Sequence, residues 1–333
     1  MSGLGLAWGG VTAVRERLAR LTRVEVEGRP AVAYPDLAGD MEEGDIVLVN
    51  TRARELGLGS GGFDVVVANL TRGLWLDGNP DAHVMTLPYT PLQHAVRFAE
   101  EDGLDLSRLD GTPVVCTSVH SQVAPVCAGL AGVRVAYVQL GGGALPVQLS
   151  DILRALHVRQ LLHRTIAVSP CFGGDLQCVS VASALLVARQ HGAQAIVCSI
   201  GPGIVGTGTR FGHGGVAAAE AANAASALGG RAVIAPRVSF GDSRERHRGL
   251  SHHTRSVLEL TLGGRQVAWP AGLDPPEGIE VETVPVTGWE GACAHLDLSH
   301  MGRSPRDDPW FFAAAYAAGR LARTLVRRDP AGG

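Results

Sequence analysis

Aromatic residues are scarce in this chain: Phe, Trp and Tyr make up 5% of it, against 46% hydrophobic residues in all. Its core must therefore be built mainly from Ala, Val, Leu and Ile. Charge of either sign is also modest, at 18% with a formal net charge of -3, so nothing asks for nucleic acid or an acidic membrane surface as partner. Arginine stands far above lysine, which a GC-rich genome would also produce. None of the six cysteines (Cys116, Cys127, Cys171, Cys178, Cys198, Cys293) forms a C-x-x-C pair. Buried free thiols in a reducing cytoplasm are the economical reading. The first residues carry neither a basic stretch nor a sustained apolar one, which argues against a secretory signal. The longest apolar stretch, residues 123–140, is broken by Arg134 and several glycines. A spanning helix needs roughly 20 apolar residues, so a soluble cytoplasmic protein is expected.

What is present divides the 333 residues in two. Residues 1–86 carry short apolar or alternating runs at 23–27, 31–34, 45–50 and 63–69, separated by glycine turns. Such spacing predicts a small β-rich barrel or sandwich. Residues 11–21 fit either a helix or a first strand. From residue 87 onward, continuous apolar runs alternate with helical patterns. Strands are predicted at 113–117, 133–139, 165–169, 193–200, 231–236 and 279–285, and helices at 91–101, 122–130, 150–156, 176–190, 215–228, 251–260 and 310–326. This is an α/β pattern: a mostly parallel sheet with helices on both faces, in Rossmann-like layers.

Ligands of open parallel sheets bind outside the carboxyl ends of the strands. The predicted strand ends lead into His120 and Ser121, Gly141 to Gly143, a loop reaching Asp175, the stretch 199–215, and Arg237 to Asp242. All are expected on one rim. The stretch 199–215 reads SIGPGIVGTGTRFGHGG. Gly201, Gly203, Gly206 and Gly208, with Thr207, Thr209 and Arg210, could cradle an anion with bare N–H groups. They could equally form a loop that packs tightly on the sheet. Gly201, Gly203 and Gly206 spell G-x-G-x-x-G, but no helix begins within the motif, and the next strand ends in Pro236-Arg237 rather than an acidic residue. Thr209-Arg210 stands where a Walker loop needs Lys-Ser/Thr.

The second informative stretch is 236–254. Arg237, Arg244 and Arg246 suit bidentate recognition of phosphate or carboxylate. Ser251 reads as an N-cap, with His252 and His253 in the first helical turn, where the helix dipole favours neutral imidazole. His120, Asp175, His213, His247, His252, His253 and His300 are candidate metal ligands by type. No H-E-x-x-H or related spacing joins them, and neighbours on a helix point about 100° apart, so no metal is expected. No G-x-S-x-G elbow is present. His300 and Arg303 could return to the rim or cap the last helix, for which Asp307-Asp308-Pro309 is the start signal.

The motifs GDIVLVN, YTPLQ, GGALP, FGGDL, GPGIVGTGT, RERHRGLSHHT and MGR together resemble the bacterial family of uncharacterised proteins called domain of unknown function 3866. The resemblance implies a cytoplasmic bacterial protein and no particular reaction, cofactor or catalytic residue.

Two functions follow as expectations. One is an enzyme acting on a small anionic, including phosphorylated, metabolite. Gly201, Gly203, Gly206, Thr207, Gly208 and Thr209 would hold the anion with Arg237, Arg244 or Arg246. His252 or His253, with Asp175, Asp242 or His120, would handle a proton. The other is a non-catalytic ligand sensor or assembly protein. The alanine-rich run 217–225 would then serve either a tight core or a homodimer face.

Overall fold

A computed structural model describes residues 3–57, 61–73 and 78–326. Strand β1 (Leu6–Leu18) settles the ambiguity at residues 11–21 in favour of a strand. It bends at register shifts between Val11 and Ala13 and between Val14 and Glu16. Its first half pairs with β4 (Ile46–Asn50), its second with β2 (Leu21–Val26). With β3 (Arg29–Ala33) and β5 (Asp64–Asn69) they close a barrel in the order β1-β2-β3-β5-β4. The β2–β3 turn places Glu27 and Gly28 at φ 51° and 71°, the mirror-image geometry of tight hairpins. Alternate inward residues (Val11, Val24, Val26, Ala31, Val47, Val49, Val66) fill the interior. Two short helices, α1 (Pro35–Ala38) and α2 (Arg52–Glu55), lie between strands. Of the glycines expected to precede β5, Gly59 lies outside the described residues.

The chain forms two units, Met1–Val96 and Arg97–Gly333. The first ends in a hairpin, β6 (Val84–Thr86) with β7 (His94–Val96), which occupies part of the segment read as a helix at 91–101. The remainder of that segment is a 3-10 turn, Ala99–Asp102.

The second unit is built on eight parallel strands: β8 (Pro113–Thr117), β9 (Val135–Leu140), β10 (Arg164–Val168), β11 (Leu176–Cys178), β12 (Ala195–Ile200), β13 (Arg231–Ala235), β16 (Arg265–Pro270) and β17 (Glu282–Val284). A separate small ladder pairs β14 (Val238–Ser239) with β15 (Gly249–Leu250). The sheet order is β11-β10-β9-β12-β8-β13-β16-β17. Both faces are covered, as the continuous apolar strands demand. One face carries α3 (Val123–Gly129), α4 (Asp151–Val158), α8 (Trp289–Cys293) and α9 (Pro309–Leu325). The other carries α5 (Val181–Gln190), α6 (Ala217–Ala227) and α7 (His252–Leu260). Helices α3 and α9 meet backbone to backbone: a Cβ added at Gly319 would overlap the Val126 carbonyl. Ala218, Ala219, Ala221, Ala222 and Ala225 of α6 are buried in the core, so that face of the alanine run is internal packing.

The order places the site. From β8 the chain turns to α3 on one face, whereas from its neighbours β12 and β13 it turns to α6 and α7 on the other. Connections part on either side of β8, which opens a crevice at the carboxyl ends of β12, β8 and β13. Among the described residues no helix is long and apolar enough to cross a membrane.

Candidate functional site

Arg237 follows β13 directly. Its N–H donates to Thr254 Oγ1 at 2.8 Å and its carbonyl accepts from the Ser251 N–H at 2.9 Å. These bonds aim the side chain into the crevice, where it is 2% exposed. Nη1 donates to His253 Nδ1 at 3.1 Å, and Nη2 donates to His300 Nε2 at 3.1 Å and to Asp242 Oδ2 at 3.3 Å. A guanidinium has only donors, so both imidazole nitrogens it meets must be acceptors. His300 then carries its proton on Nδ1 and donates to Ser121 Oγ at 2.8 Å, while its ring stacks on Phe311 at 3.9 Å. His253 carries its proton on Nε2. Burial brings the Arg237 pKa down to about 10, with Asp242 opposing, so the group stays charged at neutral pH.

Asp242 is the hub of the cations. It accepts from Arg237, from Arg244 at 2.8 and 2.9 Å and from Arg303 at 3.2 Å. Burial pushes its carboxyl up, but the Arg244 hydrogen bonds and the charges of Arg244 and Arg237 outweigh this and hold it well below the usual range. A carboxylate so held is a poor proton acceptor, which argues against Asp242 as a base. Asp308 plays the companion part, accepting from Ser239 Oγ at 2.5 Å, the Phe240 N–H at 3.1 Å and Arg303 Nε at 3.2 Å. Asp308 is the N-cap position of α9, yet its side chain caps nothing and turns to residues 239–241 instead.

Ser251 is the N-cap expected, its Oγ accepting from the His253 N–H at 3.2 Å and bonding His247 Nδ1 at 2.7 Å. The next two residues join a histidine group. His213 and His253 stack with centroids 3.9 Å apart and planes at 17°. His252 lies 5.3 Å from His213, 4.4 Å from His253 and 4.7 Å from His247. Both ring nitrogens of His213 and Nε2 of His252 are buried without a hydrogen-bond partner. The Arg210 backbone lies near enough to favour a proton on His213, though not in hydrogen-bond geometry. All four rings are held neutral. Burial, then the arginine charges, brings His247 down to about 3; burial, then His213 and nearby arginines, brings His252 down to about 4. Burial and Arg237 lower His253 further still, and burial is also the main cause for His213.

The glycine-rich stretch divides into two jobs. An added Cβ at Gly201 would overlap the Ala144 carbonyl, and one at Gly214 would overlap Gly142, so these glycines let the loops after β9 and β12 touch. Between them residues 206–213 fold back as a small flap. Gly206 bridges to His213, the Thr207 N–H donates to the Gly212 carbonyl at 2.8 Å, and Thr207 and Thr209 share a hydroxyl bond at 2.9 Å. Gly203 and Gly208 take φ of 71° and 84°, open to glycine above all. An added Cβ at Gly208 would lie 3.6 Å from the Arg246 guanidinium, so the flap tip sits beside Arg246. Arg210 is paired with Glu259.

Two sequence candidates lie apart from this group. His120 is buried, with Nδ1 on the Ile200 carbonyl at 3.1 Å and Nε2 on Ser150 Oγ at 2.7 Å. It ties β8, β12 and the N-terminus of α4 together. Asp175 is at the other end of the sheet. It accepts from Thr165 N and Oγ1 at 2.7 and 3.0 Å, at the start of β10. The expectation that it shares the rim fails because residues 176–178 are a strand parallel to β10, so the chain has already crossed back when it reaches Asp175. Ser239 lies in the stretch expected on the rim, whereas Asp308 was expected only as a helix start and instead bonds Ser239 there. Arg303 does return to the rim.

Of two concavities in this unit, one lies away from the rim and the other reaches it at Gly141 and Gly214. One of about 490 Å³ is lined by Arg255, Glu259, Arg265 and Glu282, the other of about 550 Å³ by Gly141, Ala217, Glu220 and Asn223. Neither is lined by the buried histidines and arginines of the rim cluster.

Fold and rim define an α/β protein with a parallel sheet, an N-terminal barrel, and an arginine and histidine cluster at the sheet's switch point. Fold alone names no reaction. The chain belongs to the family described as protein of unknown function (DUF3866), which matches residues 30–319. No curated protein matches the sequence.

Proposed function

We propose that the rim is the active site of an enzyme acting on a small anionic metabolite, phosphorylated ones included. The observation that carries this reading is a surplus of fixed positive charge beside partnerless buried imidazole nitrogens. Three arginines (Arg237, Arg244, Arg303) share two carboxylates (Asp242, Asp308). Arg246, next to the flap, has no carboxylate partner among the described residues. The chain contains no lysine, so every one of these cations is a guanidinium, the group suited to bidentate contact with phosphate or carboxylate. An anion offsets the surplus, and the flap tip at Gly208 stands beside Arg246 as a wall of that site, its Thr207 and Thr209 groups bonded within the loop. His213 and His252 present uncommitted nitrogens to whatever is bound there. Asp175 has no part in this reading, and His120 supports the rim without touching the ligand.

The test is calorimetric titration with inorganic phosphate and with small phosphorylated and carboxylate metabolites, repeated on Arg246→Ala. Binding that weakens about tenfold in the variant is expected, on the scale of one charge-assisted contact. Absence of binding by any anion to the folded protein contradicts the reading. Turnover of a bound compound, lost in His252→Gln with binding retained, separates an enzyme from a sensor.

A further inference from the structure

We propose that His213, His252 and His253 bind a divalent transition-metal cation of the zinc class. One potential ligand atom from each lies within 4.8 Å of the others. Tetrahedral zinc with Zn–N bonds near 2.0–2.1 Å needs nitrogens roughly 3.4 Å apart, so the rings must reorient to close around an ion. The donor set is imidazole only, which suits zinc, cobalt, nickel and copper and disfavours calcium and magnesium.

The independent observation is the cost of the arrangement without an ion. His213 is 5% exposed, and both its ring nitrogens are buried with no partner, as is Nε2 of His252. Each such group forfeits about 1–3 kcal/mol of hydration. Buried imidazoles elsewhere on the same rim do not accept this: His120 and His300 have both nitrogens bonded. Sequence spacing hid the site because the ligands come from two loops. His213 closes the flap after β12, and His252 and His253 open α7 after β13.

Two rearrangements accompany binding. The stacked rings of His213 and His253 must splay apart to radiate from one ion. Arg237 must also release His253. While Nη1 donates to Nδ1, the proton sits on Nε2; ligation through Nε2 moves that proton to Nδ1, which then faces a donor. Arg237 keeps Asp242 and His300 as partners. The surrounding cationic surplus makes hydroxide or another anion the natural occupant of the open coordination position, as in catalytic rather than structural zinc sites. The ion site itself does not depend on the anion reading, and its test uses no added anionic metabolite.

Untagged full-length protein, stripped with chelator and dialysed into metal-free buffer, is titrated with cobalt(II). The expected result is one equivalent bound with the visible absorption of a four-coordinate nitrogen site, displaced by zinc. His213→Gln and His252→Gln each weaken cobalt binding by at least about tenfold, the scale set even by loss of a ligand's outer partner, whereas His157→Gln on the exposed face of α4 leaves it unchanged. Circular dichroism and urea unfolding establish that each variant is folded. No cobalt band in the wild type, or binding equally tight in a folded His213 or His252 variant, overturns the site.

Discussion

Two histidine environments share the rim of one sheet, and they differ in their partners. His120, after β8, gives one nitrogen to the Ile200 carbonyl and the other to Ser150 Oγ. His213, after the neighbouring β12, gives neither nitrogen to the protein. Both are buried, and both are neutral for the same first reason, loss of water. The same residue type on the same edge is thus a structural tie in one case and an open valence in the other. Burial and shifted acidity do not separate them; the inventory of hydrogen-bond partners does.

The comparison can be broken at several points. The largest effect is expected for Asp242→Asn. Removing the charge under Arg237, Arg244 and Arg303 leaves a buried cation unpaired and should cost about 3–5 kcal/mol in urea unfolding. His120→Ala comes next, at about 2–4 kcal/mol, from two lost buried hydrogen bonds and a cavity. His213→Ala, by contrast, also leaves a cavity but removes two unpartnered buried polar atoms, so it should cost less than His120→Ala, by about 1–2 kcal/mol. Equal losses at His120 and His213 would erase the distinction between them.

Acid should act through the arginine hub. The Asp242 carboxyl is held below its unfolded value, so its contribution to stability is complete above the ordinary carboxylate range and fades as pH falls below it. Unfolding midpoints followed from pH 6 down to about pH 3 should decline less steeply in Asp242→Asn than in wild type. Parallel declines would remove Asp242 from that role. The smallest effect is expected for Asp175→Asn at the far end of the sheet. It should cost about 1 kcal/mol or less through its bonds to Thr165 and leave cobalt and anion binding unchanged; altered binding would show that the two ends are coupled.

Much of the fold was legible. Continuous apolar runs identified six of the eight parallel strands and the crossover helices, because strands buried on both faces leave that signature. β11 was hidden: three residues long, it abuts the Ser180 N-cap of α5 and reads as the helix's first turn. β16 begins Arg-Gln and ends in Pro270, which dilutes its pattern. The helix expected at 91–101 was apolar spacing without a helix, since His94 to Val96 pair with residues 84–86. The rim residues after β8, β12 and β13 followed from the strand-end rule, and Asp175 escaped it because of the hidden β11. The histidine group could be named by type but not assembled: no spacing joins 213 to 252, and only the adjacency of β12, β8 and β13 does so. The glycine-rich stretch was read as either cradle or packing. Gly201 and Gly214 stand at backbone contacts, which is packing, and Gly208 stands at the flap tip beside Arg246.

The most direct measurement is a crystal structure of the protein grown with zinc, with anomalous data collected on both sides of the zinc edge. The account predicts one anomalous peak about 2.1 Å from a nitrogen of each of His213, His252 and His253, with Arg237 withdrawn from His253. No peak there, with the His213 nitrogens bonded to protein groups instead, would contradict it.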